Sequence, residues 1–382
     1  MLLLFEHLKD KEACPCGSGL PFGDCCKFRE PAISNSRKPP EVQAMEMLRK
    51  GLKSCCMYPD TQNCKGKIKK AHALQNNKII SLLAGESRHV YVLGTKETPT
   101  FAEIKRGHVE PLVYMKRTSA NDATTETCFC DLHDNVAFAA IEKGAPDFDA
   151  HSEEMKFTYA YKAFIFEYYK HWCSLDMFRR CFRLNPAAYQ NPLCVAEYRQ
   201  NILKLSEFDT VKHFFDGKIL SGAHNGVYTQ VINLQKQIKF ACYAYIAPNY
   251  DLNGKRIRHT RNGCMHRLAI TAFPEEHQSW ILFSCLESEK KYYSSFFEQL
   301  SSSPLAKVEW YLSVILPLYT ENMVLSPDLW EDWDEITQSS YLHLANLRGK
   351  DFAILEKAIS INLKNMMRSK CKYSPCKIDL FR

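Results

Sequence analysis

Four cysteines fall within thirteen residues near the start of the chain: Cys14-Pro15-Cys16-Gly17-Ser18-Gly19, then Cys25-Cys26. A segment this short and this poor in apolar residues cannot build a core, so burial alone cannot fix its shape. Thiolates spaced C-x-C and C-C converge on one tetrahedral ion, and soft sulfur ligands select zinc, at metal–sulfur distances of ~2.3 Å. Gly17 and Gly19 permit the tight turn, because glycine accepts positive φ. The bound metal then supplies the folding free energy of the segment.

The chain holds 17 cysteines in 382 residues. Its start, MLLLFEHLKD, has neither the basic n-region nor the small-residue cleavage site of an export signal. The expectation is a cytoplasmic protein, where close-spaced cysteine pairs point to metal thiolates rather than disulfides. The most apolar stretch, WYLSVILPLYT at 310–320, contains Pro317 and is too short to span a bilayer, so no membrane association is expected. Cys173, Cys181, Cys194, Cys242 and Cys285 lie scattered among apolar residues and are expected as small buried hydrophobes.

The formal net charge is +7, unevenly spread. Residues 33–120 carry sixteen Lys or Arg against seven Asp or Glu. That excess points to a polyanionic partner, nucleic acid first of all. Within it, Lys65, Lys67, Lys69 and Lys70 alternate with small or apolar residues and can contact a phosphate backbone.

A second metal set lies in the same region. Cys56 and Cys64 flank a turn-rich loop, KIKKAHAL reads as a strand ending near His72, and Cys130-x-x-His133 stands where a helix begins. Asp131, Asp134 and Asn135 suit a first helical turn. Two ligands from a loop and two from a helix start define a treble-clef site, with Cys56, Cys64, Cys130 and His133 as its expected ligands. Cys55 and Cys128 are the substitutes, and His72 itself is a further alternative.

Residues 31–43 are rich in Pro, Ser and charge and read as a linker, followed by a helix at 42–52. Beyond residue 151 the texture changes. Tyr161, Phe164, Ile165, Tyr168 and Trp172 form a helical aromatic stripe, expected to be core rather than a base-stacking row. Residues 195–216 read as helix, 226–246 and 266–286 as antiparallel strands, 301–320 as helix, and the last sixty residues as helical. The connection at 249–267 carries Arg256, Arg258 and Arg261, which can reach phosphates. Cys371 and Cys376 alone are too few for a site. There is no internal repeat, no G-x-S-x-G, no H-E-x-x-H and no glycine-rich phosphate loop.

Two resemblances add to these expectations. Cys14-Pro15-Cys16-Gly17-Ser18-Gly19 with Cys25-Cys26 resembles the SEC-C zinc motif, which occurs in many bacterial proteins and serves protein docking. Here the intervening residues read LPFGD, apolar and acidic. The arrangement of the second set resembles the HNH, or ββα-metal, nucleases. That resemblance implies His72 as the general base and His133, Asp134 and Asn135 at the start of a metal-binding helix, with Asp134 and Asn135 near a catalytic Mg2+ or Mn2+. By loose analogy, chains of this modular kind belong to mobile-element or phage-defence contexts.

The expected architecture is α+β: a SEC-C knuckle at 1–30, a basic treble-clef or HNH-like domain at 31–150, and a mixed helix and antiparallel-sheet domain of unknown role at 151–382. The expected function is zinc-dependent interaction with nucleic acid, with one or two structural zincs. Its alternatives are an active HNH-like endonuclease and a non-catalytic adaptor that docks a protein through its zinc modules.

Overall fold

The computed structural model describes residues 7–29, 53–95, 113–142, 144–184, 186–190, 192–257, 265–347 and 378–382. The linker at 31–43, the helix at 42–52, Arg258, Arg261, Cys371 and Cys376 lie outside the described residues.

The protein is a mixture of helices and antiparallel strands. A small unit comes first: β1 (Ile68–His72) pairs antiparallel with β4 (Thr125–Cys130), and α1 (Asp131–Ala137) leaves β4 directly. Asp131 and Asp134 sit in the first turn of α1, where carboxylates complement the helix dipole. The register places Ile68 opposite Cys130 and His72 opposite Thr125.

Between those two strands the chain makes an excursion. β2 (His89–Thr95) and β3 (Val113–Ser119) form a hairpin, which joins a seven-stranded sheet of order β3-β2-β9-β6-β7-β8-β5. The remaining strands are β5 (Val227–Leu234), β6 (Phe240–Ile246), β7 (Leu268–Pro274), β8 (Ser279–Leu286) and β9 (Met323–Leu325). Each expected strand region therefore holds two strands, and the sheet draws on both sides of residue 150.

The central strands are covered on both faces, which is why they read as nearly continuous apolar runs. Ala241, Tyr243, Ala269 and Phe273 face one core, while Phe240, Cys242, Ala244, Leu268, Ile270 and Ala272 face the other. Two long helices, α2 (Glu153–Leu184) and α3 (Pro192–Ser221), pack together, with α2 lying on β6 and β7. Residues from α4 (Ser294–Ser302), α5 (Leu305–Tyr319) and α6 (Glu335–Asn346) fill the second core.

The aromatic stripe of α2 is core. Tyr161, Phe164, Ile165 and Tyr168 are buried, and Trp172 is half-buried. Burial extends beyond the stripe to Ala160, Ala163, Phe166 and Tyr169, so α2 is apolar nearly all round over this stretch. A helix of that kind is enclosed on every side. Phe164 meets Phe208 and Phe215 of α3 and Tyr245 of β6. Phe166 meets Phe129 of β4 and Phe138 just beyond α1. The helix is the spine that joins the β1–β4–α1 unit to the main sheet.

Of the last sixty residues, expected to be helical, Pro327–Glu331 and Glu335–Asn346 are helix and 348–377 lie outside the described residues, while the expectation is corrected at the two ends. Residues 323–325 are strand, because Val324 pairs with both Val92 and Ala241 and fills the gap between β2 and β6. The final residues 378–382 are not helical. There Ile378, Leu380 and Phe381 are buried, and Phe381 packs its ring edge-on against Phe240. The stretch 310–320 forms most of α5, with Pro317 in its last turn, and no helix among the described residues is long and apolar enough to cross a membrane.

Candidate metal centres

Cys14, Cys16, Cys25 and Cys26 converge, with their sulfurs all within 4.8 Å of one another. The Cys16–Cys25 separation is 3.6 Å and the Cys25–Cys26 separation 3.8 Å. The loop closes because Cys14 N–H donates to the Leu20 carbonyl and Gly17 N–H to the Cys14 carbonyl. Gly17 and Gly19 both take φ near +80°, the left-handed region that the turn demands. Cys16 falls to about 7: burial alone would raise its pKa, but the Ser18 hydroxyl and then the Cys14 thiol outweigh burial.

The second set also converges. Cys56, Cys64, Cys130 and His133 place their ligand atoms within 4.8 Å of one another. His133 Nδ1 lies 3.4 Å from Cys56 Sγ, 3.6 Å from Cys64 Sγ and 3.4 Å from Cys130 Sγ. The elements that bring them together are local. Cys130 is the N-cap of α1 and His133 sits in its first turn. The cysteine loop is pinned over that turn by hydrogen bonds from Asp131 N–H to the Lys67 carbonyl and from Leu132 N–H to the Lys65 carbonyl. Gly66, at φ +79°, is required here, since a Cβ would stand 2.8 Å from the Asp131 carboxylate. Tyr58 stacks on the His133 ring at 4.2 Å and fixes its plane. Burial raises the Cys130 pKa, but backbone hydrogen bonds from His133 and Lys65 reverse that and lower it.

Both geometries fit one ion. A tetrahedral zinc with sulfur at ~2.3 Å and nitrogen at ~2.0 Å requires sulfur–sulfur separations of about 3.8 Å and sulfur–nitrogen separations of about 3.5 Å. A disulfide would demand ~2.05 Å, and all eight positions carry free thiols or the imidazole. Both clusters can therefore hold zinc. Cys55 and Cys128 stand outside the quartet. Cys55 is pushed up to about 12, chiefly by burial, and burial also holds fully enclosed Cys128 well above the usual thiol range. What keeps both out of the site is position, since their sulfurs do not join the converging group.

His72 lies at the far end of β1, about 13 Å along the strand from Ile68 at ~3.3 Å per residue, so it does not enter the metal quartet. Its Nδ1 is 3.1 Å from the Ala123 carbonyl, to which it donates as the Nδ1–H tautomer. Burial lowers its pKa, and the Ala123 hydrogen bond opposes that only in part. The ring lines a cleft of about 200 Å³ together with Lys69, Lys70, Asn76, Asn77, Asp134 and Glu142. Asp134 is brought to this cleft, but it is held there by Lys69 at 2.7 Å. Asn135 is not; its amide turns back to the Asp131 carbonyl at 2.8 Å.

Among the described residues, the groups of three or more metal-ligating side chains are the two cysteine-containing quartets, and neither includes His72, Asp134 or Glu142. No cluster of three such side chains among the described residues stands at His72 to support the expected Mg2+ or Mn2+. The lysines also divide. Lys69 and Lys70 are paired, with Asp134 and Asp122, whereas Lys65 and Lys67 are exposed and form no ion pair among the described residues. Arg256 is exposed beside a turn organised by Asp251, whose carboxylate accepts the Asn253 and Lys255 N–H groups.

Several residues at these sites carried no readable signal. Asn76 and Asn77 reach the cleft only because the chain turns back after β1. Lys162, 4% exposed, pairs with Glu142 behind the cleft. Arg179 and Arg183 of α2 stand against the first cysteine loop. Their i, i+4 spacing near a helix end was the one available hint. No family model, no curated protein and no solved structure matches this chain.

Proposed function

We propose that this chain is a two-zinc protein whose β1–β4–α1 unit engages nucleic acid. The observation that carries the reading is the second quartet. It clamps the Cys56–Lys67 loop over the start of α1 and presents Lys65 and Lys67, both exposed, on the clamped loop. A loop held by metal offers its cations without a large ordering cost on binding. The HNH-like order of strand, strand and helix supports the same partner class. In a fluorescence-anisotropy titration with duplex DNA and with RNA, log affinity is expected to fall linearly with log salt. The Lys65→Ala/Lys67→Ala double variant is expected to flatten that slope by about two, at ~1 per lysine, with zinc content unchanged. An unchanged slope would sink the assignment of these lysines.

One observation favours a second reading, hydrolysis of a phosphodiester with His72 as base. The Ala123 carbonyl fixes Nδ1 as the donor, which leaves Nε2 as the lone pair in a polar cleft. Burial lowers its pKa, so more of the ring is neutral in mildly acid solution than for an ordinary histidine. With an added divalent ion, the acid limb of the cleavage profile is expected to lie below the pH at which an ordinary histidine titrates. His72→Ala is expected to lose 10²-fold or more with both zincs retained, the usual range for a general base. Absence of nicking by wild type on plasmid and on RNA, in Mg2+ and in Mn2+, leaves the non-catalytic reading standing alone.

A further inference from the structure

We propose that Arg179 and Arg183 of α2 form the outer shell of the first metal centre, so that loading of that centre and packing of its loop on the α2–α3 hairpin are one coupled event. The inference rests on the zinc reading of Cys14, Cys16, Cys25 and Cys26. A divalent ion with four thiolates carries a net charge of −2. Cys14, Cys16 and Cys26 are buried, so the solvent does little to offset it. Nearby positive charge and N–H donors must do so.

The two arginines are placed for this. Arg183 Nε–H donates to the Cys16 carbonyl at 2.7 Å, bonding directly to a ligand residue. The Arg179 side chain lies against Gly17, where a Cβ would stand 3.0 Å from its Cδ and 3.3 Å from its Nε. Gly17 is thus required both for its φ of +78° and for the approach of this arginine. The Arg179 Nε is buried and has no hydrogen-bond partner among the described residues. Buried donors are rarely left unmade. A neutral thiol is a weak acceptor, whereas a zinc-bound thiolate is a strong one. Metal loading would convert the sulfurs of the loop that Arg179 packs against from the first kind to the second.

The rest of the contact ties the same loop to the same hairpin. Arg199 of α3 grips both Glu12 carboxylate oxygens, at 3.0 and 2.9 Å. Tyr189, in the turn between the helices, donates to the Lys27 carbonyl and takes the edge of Phe22 at 4.8 Å. One face of the cysteine loop is therefore occupied by the chain's own hairpin.

The test is chelator competition on the full chain, read as zinc released from each centre, with the second centre as internal reference. Arg179→Met and Arg183→Met are each expected to weaken the first centre by about 10–100-fold, the usual range for outer-shell partners, and to leave the second unchanged. Arg179→Lys, which keeps the charge, is expected to recover most of the loss. Hydrogen exchange on wild type after zinc removal is expected to speed up around 179–199. Wild-type release from both Met variants overturns the proposal while leaving the zinc reading intact. Equal weakening of both centres overturns it too, since that reports general destabilisation. A wild type with no zinc at Cys14–Cys26 overturns the metal reading and this inference together.

Discussion

His133→Ala is expected to remove one zinc equivalent and to release the loop from Lys53 to Lys67 while the main sheet stays folded. The reason is local. β1 and β4 are five and six residues long and α1 is seven, too short to hold without a staple. Three of the four ligands are thiols, which without the ion return to free thiols packed against one another. The apparent binding free energy of a structural zinc in small zinc-finger peptides, about 10–16 kcal/mol at neutral pH, sets the upper limit of the loss. The realised loss is smaller, because Phe129 and Phe138 remain anchored on Phe166 of α2. Limited proteolysis with mass mapping checks it: new cuts are expected within 53–67 and not within α2 or the sheet. His133→Cys, which offers a fourth thiolate, is expected to restore both metal and protection. Full zinc retention by His133→Ala would remove His133 from the ligand set.

Phe164→Ala is expected to cost about 3–5 kcal/mol of global stability, the usual toll for deleting a fully buried aromatic ring. Its ring bridges α2, α3 and β6 through Phe208, Phe215 and Tyr245, and none of those neighbours can collapse into the space without moving its own element. Denaturant unfolding is the measurement. It also separates the two uses of an aromatic stripe. A core stripe lowers the unfolding midpoint and leaves nucleic-acid affinity alone; a stacking row would weaken affinity and leave the midpoint unmoved.

The metal positions were legible because thiol chemistry is short-ranged. C-x-C and C-C spacing leaves few geometries, and Cys130-x-x-His133 is one helical turn. What joins Cys56 and Cys64 to that turn lies more than sixty residues away, and here the helix-start residues at 131–135 gave the place. The aromatic stripe of α2 showed its period, yet period alone underestimated its burial, since Phe166 and Tyr169 lie off the stripe and are enclosed by the β1–β4–α1 unit. The excursion of β2 and β3 into the main sheet was not legible. Strand partners are set by tertiary pairing, and nothing in His89–Thr95 names Val324 as its neighbour. Asn135 illustrates a different limit: its type suited a ligand, but an exposed asparagine in a helix bonds back to the carbonyl four residues earlier. The arginines of α2 escaped notice because a charge near a helix end is ordinarily a solvated one. Only the packing of the cysteine loop gives it work.

The central claim is that two preformed quartets each hold one zinc. Native mass spectrometry of the full wild-type chain, paired with elemental analysis, tests it most directly. Two zincs per chain are expected, falling to one in Cys26→Ser and to one in His133→Ala. A wild-type chain that carries none after expression in zinc-replete medium, or that carries one and loses it in both variants, would contradict it.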